Sequence, residues 1–305
     1  MRDPAERPIL NAMTVDVEEY FQVSAFEGHI SRDDWDHIPT RLDHGLGRIL
    51  DLLAERDALA TFFVLGWIAD RHPDCVKRIA DAGHEIACHG YSHRLIYDQQ
   101  EGTFRDETVR ARARLQDLSG QPVEGYRAAS FSIGGSDFWA LDVLVEAGFT
   151  YDSSLFPVVH DRYGIPGAPR RIHRLTTPAG YTLSEVPPST VQLGPFTLPA
   201  AGGGYLRILP LSITNWSIRR LNLRERMPAV VYVHPWELDP EQPRIEVPYL
   251  TRLRHYFGLA TTGRKLRALL GAYRFGPVRE VLREVFGNHR EAGSVAVSTF
   301  GEVGS

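Results

Sequence analysis

The sequence predicts an α/β fold in which parallel strands alternate with helices. Two patterns support this prediction. Short apolar segments alternate with amphipathic segments of helical spacing between residues 9 and 152, as parallel βαβ units require. Polar and charged residues stand where several of the apolar segments end. In an α/β barrel the carboxyl ends of the strands form one face, where catalytic groups collect. We therefore expect an enzyme whose site is built from strand ends.

The first half of the chain alternates strand with helix in a regular order. Pro73 suits the first turn of a helix, and Gly83, Gly120 and Gly148 stand where helices are expected to stop. Strands are predicted at residues 9–17, 58–65, 84–88, 123–127 and 149–151, and helices at residues 42–54, from residue 66, and at 73–82, 104–118 and 138–147.

The second half of the chain is less regular. Residues 155–210 are rich in Pro and Gly, which favours loops with short strands. A strongly apolar strand is predicted over residues 229–233, and the chain from residue 241 is basic. The remaining predictions are strands at 181–186 and 205–209, helices at 211–221, 249–257, 262–270 and 277–286, and a weakly patterned tail from residue 287.

The composition of the 305 residues is that of an ordinary globular enzyme. A hydrophobic fraction of 43% with 24% charged residues excludes a disordered or fibrous protein. A formal charge of −4 gives no reason to expect nucleic-acid binding. The two cysteines, Cys75 and Cys88, are too few for a disulfide framework. The N-terminus has no apolar signal-peptide run, and no stretch reaches the length of a membrane span. We expect a cytoplasmic protein without a transmembrane segment.

A His-x-x-x-His motif lies near the middle of the predicted alternation. His89 follows the strand at 84–88, and His93 comes four residues later, so the two imidazoles can reach a common atom. Neutral imidazole is the commonest protein ligand for zinc and its neighbours. The same spacing also arises by chance, and on this motif alone two ordinary surface or capping histidines remain an alternative. Cys88 would point to the opposite face of the strand from His89 and is expected in the core.

Five strand-end motifs, taken in chain order, resemble those of the polysaccharide deacetylases with a NodB homology domain, which form carbohydrate esterase family four. The motifs are Asp16-x-Glu18, His89-Gly-Tyr-Ser-His93, Arg127-Ala-Ala-Ser, Asp152 and Val-x-His234. The phrases TVDVEEYF, YRAASFSI, YDSSLFP, GGGYLRILP and HPWELDP resemble the branch associated with exosortase and exopolysaccharide gene clusters. The resemblance implies a distorted (β/α) barrel as catalytic domain over residues 9–240. It also implies a C-terminal helical extension, residues 241–305, packed on the same unit.

Three positions depart from the pattern of this family. The usual adjacent pair of aspartates is replaced by Asp16 and Glu18 with one residue between them. Gly90 stands where Ser or Thr is common, and Ala129 stands where Pro is usual. A related branch hydrolyses cyclic amides, and some of its members lack metal.

The resemblance implies a metal-dependent hydrolase that removes N-acetyl groups from hexosamine units of a polysaccharide or its precursor and releases acetate. The implied cofactor is a divalent metal, with zinc expected, held by Glu18, His89 and His93. Two histidines and a carboxylate leave positions open for water and substrate, as catalytic zinc sites do. The altered acid motif leaves Glu19 or Asp16 as alternatives to Glu18.

The remaining motif residues are assigned catalytic roles on the same resemblance. Asp16 is the predicted general base, because it lies on the same side of its strand as Glu18. Arg127 would pair with Asp16 and keep it ionised. His234 is the predicted general acid that protonates the leaving amine, and Asp152 would orient it. For Arg127 a plain structural ion pair, and for Asp152 a turn residue, are the alternatives.

Aromatic residues flank these motifs and suit the faces of sugar rings. Tyr91, Phe131 and Trp236 are the predicted substrate-binding residues. Each of them could equally seal the mouth of the barrel. The predicted partner is a glycan that contains N-acetylhexosamine, with other proteins of exopolysaccharide synthesis as further partners.

Other classes of function remain compatible with the sequence. The fold can serve a non-catalytic glycan-binding or scaffold protein of polysaccharide synthesis, or a cyclic-amide hydrolase. Two histidines and a carboxylate also describe the facial triad of non-haem iron oxygenases, although those sites usually lie in antiparallel barrels. The full set of Asp16, Arg127, Asp152 and His234 favours an enzyme, because a pure binder has no reason to keep these four together.

Overall fold

The architecture is a mixed α/β fold around one curled, half-barrel sheet. It is seen in a computed structural model that describes residues 8–160, 163–200, 202–287 and 294–296. The strands are β1 (Asn11–Val17), β2 (Thr61–Val64), β3 (Glu85–Cys88), β4 (Gly125–Tyr126), β5 (Tyr151–Asp152), β6 (His173–Thr176), β7 (Thr182–Glu185), β8 (Thr190–Leu193), β9 (Phe196–Pro199), β10 (Val230–Val233), β11 (Phe275–Gly276) and β12 (Ser294–Ala296).

The helices fill the connections between strands and most of the C-terminal part. They are α1 (Leu42–Ala54), α2 (Gly66–Arg71), α3 (Pro73–Asp81), α4 (Glu101–Ser119), α5 (Trp139–Glu146), α6 (Gly203–Ile208), α7 (Leu211–Leu223), α8 (Tyr249–Tyr256), α9 (Leu259–Ala272) and α10 (Val278–Phe286).

The sheet order places the first and last parts of the chain side by side. Neighbouring strands run in the order β10-β1-β2-β3-β4-β5-β7-β6-β12, and β11 also pairs with β1. Every pair in this sheet is parallel except β6 with β7, while β8 and β9 form a separate antiparallel hairpin. The predicted alternation of strands and helices is confirmed for the first half of the chain. Because the strands are parallel, their carboxyl ends meet at one edge of the sheet.

The buried strands explain why the sequence shows apolar runs and not simple alternation. Every residue of β1, β2 and β3 is buried, as expected when both faces of a parallel sheet are covered. The apolar side chains of α1, α3, α4 and α5 pack against these strands in one large core cluster. Polar residues inside β1, such as Asp16, therefore need partners within the protein.

One predicted strand is a helix in the structure. Residues 205–209 lie mostly in α6, which ends at Ile208. The ammonium group of Lys265, on α9, donates hydrogen bonds to the carbonyls of Leu206, Arg207 and Leu209 at 2.8–3.0 Å. These contacts satisfy carbonyls at the end of a short helix, and they come from a residue distant in the sequence. Strands β6, β8 and β9 lie in the same stretch, which was predicted to hold loops with short strands.

The residues beyond 240 contribute to the main sheet as well as to helices. Asn11 pairs with Phe275, and Ala12 pairs with Gly276, so β11 lies beside the amino end of β1 as a parallel neighbour. Of the tail from residue 287, only Gly287 and β12 lie within the described residues. None of the described helices has the length and apolar character needed to cross a membrane. The division of the chain at residue 240 stays a prediction.

A close contact between α1 and the segment after β10 gives a test of this packing. A Cβ atom at Gly45 would lie 1.9 Å from the carbonyl oxygen of Pro235, next to His234. Backbone must move to admit it, and overpacking of this kind costs about 1–3 kcal/mol. We expect Gly45→Ala to lower the free energy of unfolding, measured by urea denaturation, by about that amount.

Gly47 on the same helix is the matched control, because a Cβ atom there meets nothing within 4 Å. Replacing glycine by alanine inside an open stretch of helix stabilises by up to about 1 kcal/mol. Equal effects of Gly45→Ala and Gly47→Ala would show that the contact with Pro235 does not constrain the fold.

Candidate active site

The predicted site residues converge at the carboxyl edge of the sheet. Glu18 follows β1, His89 follows β3, Arg127 follows β4 and His234 follows β10. Val15 pairs with Val233 in neighbouring strands, which sets Asp16 beside His234. The parallel register thus gathers residues that are far apart in the sequence.

A group of three buried side chains could hold a metal ion. Glu18, His89 and His93 each offer one ligand atom, and these atoms lie within 4.8 Å of one another. Nε2 of His93 lies 2.8 Å from Oε2 of Glu18, yet that oxygen is buried and makes no hydrogen bond. A buried carboxylate oxygen without a hydrogen bond is costly. A cation between the three residues would satisfy it.

His89 is held in the form that binds a metal. Its Nδ1 donates a hydrogen bond to the carbonyl of Arg127 at 2.8 Å, so Nε2 is the nitrogen left for a ligand bond. Burial lowers the pKa of His89 to about 4. The imidazole is therefore neutral at pH 7, as ligation requires.

The backbone at His93 adopts an unusual conformation. Its φ is 51°, in the left-handed region that residues other than glycine rarely occupy. Arg32 donates hydrogen bonds to the carbonyls of Ser92 and His93 at 3.0 and 3.2 Å. Non-glycine residues keep such a conformation only where surrounding contacts require it. The short 3-10 helix that begins at Arg32 therefore helps to hold His93 next to Glu18.

Glu18 remains ionised in this setting. Burial by itself would raise the pKa of its carboxyl, but the charges of His93 and His234 hold that pKa well below its usual range. Trp236 Nε1 donates a hydrogen bond to Oε1 of Glu18 at 2.9 Å, so Oε2 is the oxygen directed at His93. Two imidazoles and one ionised carboxylate fit a divalent cation with open coordination positions.

Asp16 forms a buried ion pair with Arg127. The Nη1–Oδ1 distance is 2.6 Å, and neither side chain is more than 3% exposed. Arg127 also donates to Oγ1 of Thr14 at 2.9 Å and to Oγ of Ser153 at 2.8 Å. Its guanidinium lies 4.1 Å from the ring centre of Phe63. Oδ2 of Asp16 is not used in the ion pair and is directed towards His234.

His234 lies between the acids of β1 and a third acid. Its Nε2 is 3.6 Å from Oε1 of Glu18 and 3.9 Å from Oδ2 of Asp16. Its Nδ1 donates to Oε2 of Glu237 at 3.0 Å. Burial would lower the pKa of His234, but Glu18 and Glu237 outweigh it and raise that pKa to about 9. Both ring nitrogens of His234 are therefore protonated at neutral pH, and the ring is positively charged. A cation bound to Glu18 would lower this pKa, because it would neutralise a nearby negative charge.

The predicted contact between Asp152 and His234 is not found. The carboxylate of Asp152 accepts from the backbone N–H and the hydroxyl of Ser154, at 3.1 and 2.6 Å. It also shares a hydrogen bond with Glu185, its partner on β7. The position on His234 Nδ1 is taken by Glu237. The run His-Pro-Trp-Glu has the spacing of a helix cap with Glu at the third position, a signal that points to Glu237.

Two of the three predicted aromatic residues line the cavity in front of the site. Phe131 and Trp236 belong to the wall of a cavity of about 400 Å³ that also contains Asp16, Glu18 and His234. The described residues of this wall come from both halves of the chain, since Thr251 and Arg254 on α8 are among them.

Tyr91 does not line this cavity, and its role in substrate binding stays a prediction. Its hydroxyl donates to Asp70 at 2.9 Å, and Arg110 lies over its ring at 4.2 Å. The ring covers the start of α2, where a Cβ atom at Gly66 would come within 2.4 Å of it. Tyr91 therefore packs between helices, and it is absent from the wall of the cavity that holds Asp16 and His234.

Comparison with known proteins divides the chain into two matched segments. Residues 34–151 match the family described as polysaccharide deacetylase. Residues 153–283 match a family described as a domain of unknown function, DUF3473. A peptidoglycan deacetylase from Helicobacter pylori is 29% identical over 150 residues, which are 49% of this chain and 50% of that protein. The first of these segments is therefore similar to the polysaccharide deacetylases. The chain spans about half the length of this curated relative.

Solved structures agree with the NodB-type fold. A Mycobacterium smegmatis structure assigned to the polysaccharide deacetylases has a TM-score of 0.63 at 23% identity, and the match covers 97% of this chain and 95% of that one. The structure of PuuE allantoinase has a TM-score of 0.61 at 16% identity, covering 94% and 93%. At these identities the likeness concerns the fold. The predicted NodB-type fold is confirmed.

The pair of buried carboxyls, Asp152 and Glu185, predicts how stability depends on pH. Burial and the neighbouring Asp152 raise the pKa of Glu185 well above its usual value. A group whose pKa is higher in the folded than in the unfolded protein stabilises the fold at pH values below its unfolded-state pKa. This stabilisation is lost as the pH rises towards and through the pKa of the folded state. We expect Glu185→Gln to gain stability relative to the wild type between pH 5 and pH 8, by up to about 1.4 kcal/mol per pH unit.

This prediction is checked by urea denaturation across that pH range. In Glu185→Gln the amide oxygen can still accept the hydrogen bond that Leu155 N–H gives to Oε1 of the glutamate. Glu284→Gln, at a half-exposed pair with Arg274, is the control and should show a flat difference. If the stability difference between Glu185→Gln and the wild type is also independent of pH, the pKa of Glu185 is not raised by burial beside Asp152.

Proposed function

We propose that the chain is a metal-dependent hydrolase that removes N-acetyl groups from hexosamine units of a polysaccharide or its precursor. The observation that carries this proposal is that three groups of side chains meet at one cavity. A group able to hold a metal lies beside a carboxylate paired with arginine and a histidine paired with glutamate. The match to the polysaccharide deacetylases supports the same reaction class.

Glu18, His89 and His93 are the proposed metal ligands, with zinc as the expected ion. A divalent cation there would polarise the acetamide carbonyl and lower the pKa of a bound water. The chain prepares the site for it by keeping His89 neutral and Glu18 ionised. Glu19, an alternative ligand by sequence, is bound instead to the backbone N–H groups of Arg41 and Leu42.

Asp16 and His234 are the proposed base and acid. Oδ2 of Asp16 faces the cavity and would accept a proton from the attacking water, while Oδ1 stays bound to Arg127. The oxygen of that water bonds to the acetyl carbon, and the carbon–nitrogen bond breaks. His234 would give its Nε2 proton to the departing nitrogen. Acetate and a free amine are the products.

The proposed substrate is a glycan that enters the cavity with a sugar ring near Phe131 and Trp236. The resemblance of five sequence phrases to the exopolysaccharide-associated branch supports an exopolysaccharide or its precursor, and other proteins of its synthesis as partners. The Helicobacter pylori relative is named a peptidoglycan deacetylase, so peptidoglycan is a second candidate substrate. Assays with an acetylated exopolysaccharide, with peptidoglycan and with a cyclic amide distinguish between these substrates.

Acetate release is the direct test. We expect the purified protein to release acetate from an N-acetylhexosamine glycan. A chelator should abolish most of this activity, because it removes the metal that would polarise the carbonyl and activate the water. His89→Ala should lose activity by the same route. Arg105→Gln, on the exposed face of α4, is a matched control and should stay active. Full activity in His89→Ala, or glycan binding without turnover under any metal, would contradict the proposal.

The two carboxylates of β1 are expected to differ when replaced. Glu18→Ala removes a ligand, so metal content should fall together with kcat. Asp16→Asn keeps the ligands but cannot accept a full proton, so metal should stay while kcat drops by roughly 10²–10⁴-fold. Metal stoichiometry and kcat are measured for both variants side by side. Loss of metal in Asp16→Asn with retention in Glu18→Ala would reverse the assignment.

A stability measurement accompanies this comparison. Asp16→Asn leaves Arg127 buried without its ionic partner, and breaking a buried pair costs about 3–5 kcal/mol. Each variant is therefore assayed at a temperature where its unfolding curve shows the folded state.

A further inference from the structure

We propose that Glu237 and Arg207 position His234 for catalysis, and that the DUF3473 segment thereby supplies half of the active site. This inference rests on the proposed function of His234 as the acid. Arg207 also belongs to the wall of the cavity, but its hydrogen bonds go to Glu237 and to backbone carbonyls. Glu237 in turn bonds to His234, so we assign both residues a role that is exerted through the histidine.

The carboxylate of Glu237 fixes the ring of His234. Its Oε2 accepts from Nδ1 of His234 at 3.0 Å and from the backbone N–H of the same residue at 3.1 Å. Two hydrogen bonds from one residue to one oxygen set both the ring's orientation and the nitrogen that carries a proton. With Nδ1 bound to Glu237, Nε2 is the nitrogen directed at Asp16 and Glu18. This is the arrangement that proton donation into the cavity needs.

Arg207 holds Glu237 from the other side. Its Nε donates to Oε1 of Glu237 at 3.0 Å, and the two side chains are only 4% and 0% exposed. Nη1 of Arg207 donates to the carbonyls of Arg254, His255 and Phe257 at 2.6–2.8 Å. Each oxygen of Glu237 therefore has its own partner. A buried, hydrogen-bonded arginine keeps the carboxylate charged and oriented.

A stack of rings adds a second support to His234. Trp236 stacks on His234, with ring centres 5.1 Å apart, and also stacks on His255, with ring centres 4.4 Å apart. His255 is fixed in turn by Gln242, whose Oε1 lies 2.8 Å from its Nε2. The ring of His234 is thus held at its Nδ1 and over one face by residues of the C-terminal segment.

The backbone around Arg207 is shaped for this contact. Gly258 has a φ of 82°, and a Cβ atom there would lie 2.5 Å from the carbonyl oxygen of Arg207. The turn after α8 can approach α6 only without a side chain at that position. All of these residues lie within the segment matched by the domain of unknown function, whereas the metal group precedes it. The catalytic machinery is therefore divided between this segment and the part of the chain that precedes it.

The first experiment compares kcat and KM in three variants. Glu237→Gln keeps the shape of the side chain but replaces one carboxylate oxygen by an amide N–H, which would face either His234 or Arg207. Facing His234, it would favour the tautomer in which Nδ1 carries no proton. We expect kcat to fall by about 10²–10⁴-fold, as for loss of the carboxylate in a comparable histidine pair, with KM changed less than about threefold and metal content unchanged. Arg207→Lys keeps the charge but not the four hydrogen bonds and should lower kcat by about tenfold.

Asp239→Asn is the matched control. Asp239 lies two residues after Glu237, its side chain is 1% exposed, and it pairs with Arg41 at 2.7 Å. Its loss removes a buried carboxylate from the same turn without touching His234, so kcat should stay within about twofold. A loss of kcat in Asp239→Asn as large as in Glu237→Gln would overturn the proposal.

A double-variant cycle separates positioning from general stability. If Glu237 acts through His234, the Glu237→Gln change should add less than about twofold to the loss already caused by His234→Ala. Losses that multiply would show that Glu237 acts independently of the histidine and would overturn the proposal.

A spectroscopic measurement tests the contact without relying on activity. In protein labelled with ¹⁵N-histidine, the Nδ1 proton of His234, identified by its absence in His234→Ala, should resonate downfield and exchange slowly. We expect this signal to be lost in Glu237→Gln and kept in Asp239→Asn. An unchanged signal in Glu237→Gln would overturn the positioning role. A wild type that shows the signal but releases no acetate would count against the proposed function alone.

Discussion

The buried guanidinium of Arg127 is the interaction on which the arrangement of the site depends. It is fully buried and is the largest such side chain among the described residues. A charge in this position is costly unless every donor is satisfied. All three nitrogens of the Arg127 guanidinium donate hydrogen bonds: Nη1 to Thr14 and Asp16 on β1, and Nη2 and Nε to the hydroxyl and the carbonyl of Ser153 after β5. Its own carbonyl accepts the bond from His89. One residue thus ties together two strands, the proposed base and a proposed ligand.

Much of this arrangement could be predicted from the sequence, because it follows from parallel strands. Once alternating apolar segments are recognised, the residues at their ends must share an edge of the sheet. Asp16, His89 and His234 were placed at the site by this argument, and the structure gathers them there. The helices of the first half follow equally well from their spacing and their glycine stops. These features depend on local pattern and on one rule of topology.

The parts that could not be predicted depend on contacts between distant segments. Helix α6 was read as a strand because a run of six residues does not distinguish the two periods, and Lys265 binds carbonyls at its end from 56–59 residues away. The orienting acid was assigned to Asp152, which follows the motif order of the family. Only the three-dimensional structure shows that Asp152 is engaged by Ser154 and Glu185, and that Glu237 occupies the position on His234.

The pairing of β1 with β10 and β11 also has a consequence for how the chain folds during synthesis. Thr14 on β1 donates to the carbonyl of Val231, which is 217 residues further along the chain. Until that part of the chain is made, one edge of the first strand has no native partner, and an unpaired apolar edge is prone to aggregation. Closing so long a loop also slows folding. The strand that carries the proposed base is therefore made well before its partners β10 and β11 and gains its full set of neighbours only after they are made.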